Sequence, residues 1–246
     1  MRNGVTARSI VGVLLASTCL LAVSCEREQV KAKANREVVP MGKGVIRGQA
    51  KIVGWNQPVK MLDANMNGRK MKVPDESVVV NANGTLRNVV VYVADAPACR
   101  GDISKPVVLD QEGCRYVPHV VALQAGQTLR VKNSDPAPHN VNVISKANPA
   151  ENLPMPDPGY RDLVYHVPEI MHTKCDIHPW MSAYIAVFDH PFFAVTGDDG
   201  SFEISGLPAG RYKLVAWHEW FPQLAQELTV SDDRPAEASF TFSRGK

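Results

Sequence analysis

The chain has 246 residues, of which 45% are apolar and 21% charged, and its formal net charge is +2. That composition excludes a disordered or collagen-like chain. Arg2 and Arg8 fall in a leader described below, and the rest balances 25 basic against 25 acidic side chains. A neutral body with no basic excess and no acidic tail argues against nucleic acid as a partner.

The leader comes first. Arg2 and Arg8 precede an apolar run, Ile10–Val23, which ends at Ser24-Cys25. A basic start, a short apolar stretch and small residues at a cleavage point are the signs of a secretory signal. The run has 14 residues, short of the roughly 20 that a membrane-spanning helix needs. Residues 1–24 are therefore read as a signal peptide, and the protein is expected outside the cytoplasm, in the periplasm or at the cell surface. Leu21-Ala22-Val23-Ser24-Cys25 resembles a bacterial lipobox, which makes Cys25 a lipid-anchor candidate. Ala22-Val23-Ser24 would equally serve an ordinary signal peptidase. Residues 25–43 are charged and poor in large apolar side chains, as a tether would be.

The chain holds 17 glycines and 18 prolines, and from Gly44 onward they separate short runs rich in Val, Ile, Tyr and Phe. That punctuation predicts an all-β fold. Val45–Val53 reads as a strand. Met61, Met66 and Met71 recur at a spacing of five, which allows either gap-filling in a core or a thioether site for Cu(I). Asn83-Gly84 predicts a hairpin joining Ser77–Val80 to Asn88–Val93. Thr128–Lys132 is a strand, followed by a turn at Asn133–Pro136. His139–Val143 alternates, so His139, Val141 and Val143 share the apolar face and Asn140 and Asn142 the other. Asn148–Gly159 holds four prolines and reads as a loop. Tyr160–Val167, Tyr184–Phe188, Ala194–Thr196, Ser201–Ile204, Arg211–Trp217, Gln226–Val230 and Ala238–Phe242 read as further strands.

Five cysteines are present. Cys19 belongs to the leader, and Cys25 is the anchor candidate. Cys99 and Cys114 are 15 apart in a compartment that permits disulfides, and a bridge is expected, worth about 3 kcal/mol of loop-closure entropy. Cys175 remains, and an odd cysteine in an exported protein calls for an explanation. Cys175-Asp176-Ile177-His178-Pro179-Trp180-Met181 places Cys, His and Met at i, i+3 and i+6, so one tight loop can aim all three at a point. His139 supplies a second imidazole from the core face of its strand. Thiolate, two imidazoles and a thioether make the trigonal site of electron-transfer copper, so His139, Cys175, His178 and Met181 are expected to hold one copper ion. The loop lacks a second cysteine and the chain lacks a His-x-His pair, which argues against copper enzymology. His119, His172, His190 and His218 are open candidates for a second metal, the last two with Glu219.

Asn133–Val141 and Cys175–Met181 resemble the two copper-binding segments of cupredoxins, with a contracted loop of the amicyanin and plastocyanin kind. The resemblance covers about residues 105–188. It implies an eight-stranded Greek-key sandwich with copper at one end. It implies that Asn140 braces the cysteine loop through its backbone N–H to the Cys175 sulfur. It also implies that His178, beside Pro179 and Trp180, is the electron port. Ala194–Val230, through its motif Thr-Gly-Asp-Asp-Gly-Ser-Phe-Glu-Ile-Ser-Gly-Leu-Pro-Ala-Gly-Arg-Tyr-Lys-Leu, resembles a carboxypeptidase regulatory-like (transthyretin-like) β-sandwich. The resulting division is residues 44–98 as N-terminal strands, 99–190 as the cupredoxin domain and 191–246 as the transthyretin-like region, with the smaller sandwich split around the larger one. The expected activity is single-electron transfer to a redox protein such as a c-type cytochrome or a copper or quinone enzyme. The alternatives are copper storage or delivery, and a surface lipoprotein whose metal only stabilises it.

Overall fold

The computed structural model describes residues 38–244. The expected signal peptide (1–24), Cys25 and most of the 25–43 tether lie outside the described residues. The described chain is all-β and contains no helix. Its strands are β1 (Gly44–Val53), β2 (Met61–Met66), β3 (Arg69–Pro74), β4 (Val90–Val93), β5 (Val107–Gln111), β6 (Tyr116–Val117), β7 (Val120–Gln124), β8 (Thr128–Asn133), β9 (His139–Ile144), β10 (Glu151–Met155), β11 (Gly159–Val164), β12 (Glu169–Lys174), β13 (Ser182–Phe188), β14 (Phe193–Val195), β15 (Ser201–Leu207), β16 (Gly210–Trp217), β17 (Leu224–Val230) and β18 (Ala236–Ser243).

Two β-sandwiches result. In one, a five-stranded sheet β10-β9-β12-β13-β7 packs on a four-stranded sheet β11-β8-β5-β6. Alternating side chains fill the space between them: Leu129 and Val131 of β8, Val141 and Val143 of β9, Ile185 and Val187 of β13. In the other, β15-β1-β18 packs on β14-β4-β16-β17, around Ile46, Val91, Val93, Leu214, Phe240 and Phe242. Each such aliphatic or aromatic side chain contributes roughly 1.5–3 kcal/mol on burial. A third cluster joins the back of β13 and β7 to the back of β4 and β16, through Val90, Val120, Ala186 and Phe188. Strands β4 and β13 are therefore covered on both faces, which is why their sequences, Val-Val-Tyr-Val and Ala-Tyr-Ile-Ala-Val-Phe, are apolar almost throughout rather than alternating.

β1, from the start of the body, pairs antiparallel with β15 and parallel with β18, so the two ends of the body share a sheet. Gly48 makes this possible: a Cβ there would lie 2.0 Å from the Ala238 carbonyl oxygen and 2.7 Å from the Phe202 ring.

Three expectations need correction. Asn148–Gly159 is not wholly a loop, because β10 runs through it. It tolerates Pro154 because it forms the edge of its sheet, where a missing N–H costs no ladder bond. The hairpin expected between Ser77–Val80 and Asn88–Val93 shrinks to a single bridge, Val80 to Leu86, while β4 instead lies between β14 and β16. The methionine-bearing segment is itself a hairpin. β2 and β3 pair from Met66 with Arg69 to Met61 with Pro74, around Asn67 (φ 52) and Gly68 (φ 87). Two successive positive φ values are what an Asn-Gly turn of the I′ type supplies.

Candidate metal centre

β12 lies between β9 and β13. Lys174 pairs with Ser182 across β12–β13 and with Asn142 across β12–β9. The segment 175–181 is thus a hairpin loop closed at its base, next to the start of β9. Inside it, the Cys175 N–H donates to the Met181 carbonyl (3.2 Å) and the Met181 N–H to the His178 carbonyl (2.9 Å). These bonds fold the loop back on itself, with Cys175, His178 and Met181 buried and Asp176, Ile177 and Pro179 exposed.

His139, Cys175 and His178 converge. Their ligand atoms lie within 4.8 Å of one another, and all three residues are buried. His139 Nδ1 is 2.9 Å from His178 Nδ1, and Cys175 Sγ is 3.8 Å from His178 Nδ1. Met181 is buried in the same core as Cys175. Asp135, four residues before His139, sets the ring orientation. Its carboxylate accepts the N–H groups of Gly113 and Cys114, each at 2.8 Å, and sits 2.9 Å from His139 Nε2. A carboxylate only accepts, so Nε2 carries the proton and Nδ1 offers its lone pair toward His178 and Cys175. Burial lowers the pKa of His139, partly opposed by Asp135, and burial followed by the neighbouring His139 lowers that of His178. Both shifts favour the neutral ring, the form that ligates a metal.

Asn140 braces the loop through its side chain. Its Oδ1 accepts the Asp176 N–H at 2.7 Å and the Cys175 thiol at 3.3 Å, while its carbonyl accepts the Tyr116 hydroxyl at 2.6 Å. Asp176 receives Asn140, Asn142 and Asn152 as well as Lys174. Its pKa falls to about 2, chiefly through Lys174 and Asn142. The loop is thereby tied to β9, β10 and β12. Of the expected port residues, His178 leaves only a 7% edge of itself exposed. Pro179 is exposed, and Trp180 is half-buried with its indole N–H on the Cys114 carbonyl at 3.1 Å.

Cys99 and Cys114 do not form the expected disulfide. Cys99 packs in the core of the β1 sandwich and Cys114 in that of the β9 sandwich. A spacing of 15 says how cheaply a loop could close, not to which core each end is drawn. Cys114 instead belongs to a second convergent group with Asp135 and His139. Burial, then Asp135 and Cys175, push its thiol up to about 11.

The remaining histidines do not join these groups. His119, which is buried, pairs with the half-buried Glu219 at 2.5 Å. His172 meets the Ser182 hydroxyl at 2.9 Å. His190 stacks with Phe188 and Phe192, whereas His218 lies against Phe221 and Phe242, and among the described residues these open candidates are not gathered with Glu219 into a ligand group. The three methionines diverge too. Met66 and Met71 face the core that holds Cys175, while Met61 on the opposite face is 50% exposed.

Asp135, Tyr116 and Asp176 were not singled out from the sequence. The Asn-Ser-Asp-Pro turn carried one signal for Asp135, an acid a few residues from a core-facing histidine.

No family model and no curated protein matches the chain. Among solved structures, it is similar to a copper-containing nitrite reductase from Thermus scotoductus SA-01, at 24% identity over 39% of this chain and 25% of that one, with a TM-score of 0.31. It is also similar to an amicyanin variant in its Cu(I) form, at 16% identity over 40% of this chain and 98% of that one, with a TM-score of 0.32. A purple cupredoxin from Nitrosopumilus maritimus matches at 19% identity over 34% of this chain and 98% of that one, with a TM-score of 0.29. The chain thus spans a quarter of the reductase.

Proposed function

We propose that the protein is a blue copper carrier of single electrons, exported and held at a membrane by a lipid on Cys25. The observation that carries this reading is the convergence of a thiol and two imidazoles in a buried site, with His139 already committed through Nε2 to Asp135. His139, Cys175, His178 and Met181 would hold the ion, and their donor types fit copper: thiolate and thioether suit Cu(I), and imidazole suits both oxidation states. Bound there, copper would supply a one-electron Cu(II)/Cu(I) couple.

The chain's own part is to keep the donors still. Three paired strands and the Asn140–Asp176 network fix the loop, so the donor positions need change little between redox states. The cleft beside the loop is lined by Trp180, Met181, Ser182, His119 and Glu219, but not by His139, Cys175 or His178. The partner would be a c-type cytochrome or a copper or quinone enzyme. β1, β4 and β14 to β18 would form a transthyretin-like module interrupted by the copper module. A second reading, copper delivery, is favoured by the placement of Met66 and Met71 against the same core.

The test is to titrate the purified protein with Cu(II). One equivalent should produce an intense visible thiolate-to-copper band, absent from Cys175→Ser. A colourless complex, or colour that survives the substitution, defeats the proposal.

A further inference from the structure

The β2–β3 hairpin belongs to neither sandwich sheet, yet two contacts hold it across the end of the molecule where the donor residues converge. At its tip, the Asn67 side-chain amide donates to the Pro136 carbonyl at 2.9 Å, in the turn that leads into His139. At its base, Pro74 and the following Asp75–Ser77 share a cleft with Trp180, Met181 and Ser182 of the cysteine loop. Between these points its inner face, including Met66 and Met71, packs on the core that contains Cys114, Cys175 and Met181.

The exposed part of the hairpin carries more base than acid. Lys70 and Lys72 lie on the outer face with Asp63, Arg69 is exposed at the tip in register with Met66, and Lys60 is exposed just before β2. Asp63 is already paired with Lys72 at 2.6 Å. The two acids that follow the hairpin are engaged elsewhere: Asp75 accepts from Ser77, and Glu76 meets Arg115 at 3.2 Å. The chain after the expected leader is neutral overall, so this is a local excess. It lies beside an exposed apolar group at the same end, formed by Pro136, Pro138, Ile177 and Pro179. An apolar centre flanked by one sign of charge is how weak redox encounters are steered and oriented.

We infer that the exposed tip and outer face of the β2–β3 hairpin, with Arg69 and Lys70 next to its turn, are the docking surface for an acidic redox protein. The narrow exposed edge of His178 gives a partner little to grip, and the hairpin supplies the remaining contact. A lipid surface is the less suitable occupant, because the hairpin exposes no aromatic side chain to anchor in an interface. This inference rests on the copper reading, because it names the partner class of that site.

The experiment compares wild type with Arg69→Glu/Lys70→Glu. A control pair, Lys51→Glu/Lys213→Glu, changes exposed residues of the other sandwich. In metal-free protein, hexacyanochromate(III) should broaden the amide resonances of residues 60–72 and of the loops around Pro136 and Pro179, and the Arg69/Lys70 variant should abolish this. In copper(I)-loaded protein, oxidation by hexacyanoferrate(III) should slow with rising salt. At low salt it should be about tenfold slower in that variant, with the control pair near wild type. Broadening elsewhere, or equal rates in all three proteins, overturns the inference. So does binding of wild type, but not the variant, to phosphatidylglycerol vesicles, which would assign the face to lipid. The metal-free measurement reads the surface even if copper fails to bind, so the two readings can fail separately.

Discussion

His218 is 2% exposed, with its ring 4.9 Å from that of Phe221 and 6.1 Å from that of Phe242. Its Nδ1 accepts the Trp220 N–H at 3.1 Å, so the neutral ring carries its proton on Nε2, which is buried without a hydrogen-bond partner. Burial, and secondarily His119, lower its pKa from 6.5 to about 4. The native state therefore binds fewer protons here than the unfolded state between those values. Stability from this group is fully present above pH 6.5 and is lost as pH falls toward about 4. A fall of that size is worth about 3 kcal/mol at most. The perturbation is His218→Gln, followed by urea unfolding of metal-free protein at a series of pH values. His139, His172 and His178 are lowered in the same direction, but they are present in both proteins and cancel in the difference. Wild type should lose up to about 3 kcal/mol more than the variant across this window. Parallel stability curves would refute the reasoning.

Asp135→Asn should leave the fold intact and weaken copper binding by roughly 10- to 100-fold in chelator competition, because an amide can donate to His139 Nε2 and favour the wrong tautomer. Retained affinity would show that Asp135 does not orient the ring. Alkylation of the unfolded, unreduced protein should modify Cys99, Cys114 and Cys175 alike. A Cys99–Cys114 cross-linked peptide would contradict the separate placement of these thiols. Gly48→Ala should cost on the order of 1–3 kcal/mol or more by overpacking between β1 and β18, read as a lowered melting temperature; an unchanged one would show that the sheet can yield there.

What could be read from the sequence followed from strong local patterns. The alternation through His139, Val141 and Val143 placed β9 and the orientation of its histidine, and the spacing within Cys175–Met181 placed the loop donors. The β2–β3 hairpin escaped because its outer face mixes Met61, Asp63 and Asn65 with lysines. Its Asn67-Gly68 turn was nevertheless a usable signal. β10 escaped because Pro154 looks like a strand breaker until its edge position is known. The Asp135–His139 contact depends on a turn geometry that residue types alone do not specify. The fate of Cys99 and Cys114 depends on which core each joins, a long-range matter that spacing does not carry.

The central claim is that the buried donors serve a one-electron couple without releasing the metal. Spectroelectrochemical titration of the copper-loaded protein tests this most directly. The account predicts one reversible transition that fits a single electron, with the visible band returning fully on reoxidation. Bleaching that does not recover, with copper appearing in an added Cu(I) chelator, would contradict it.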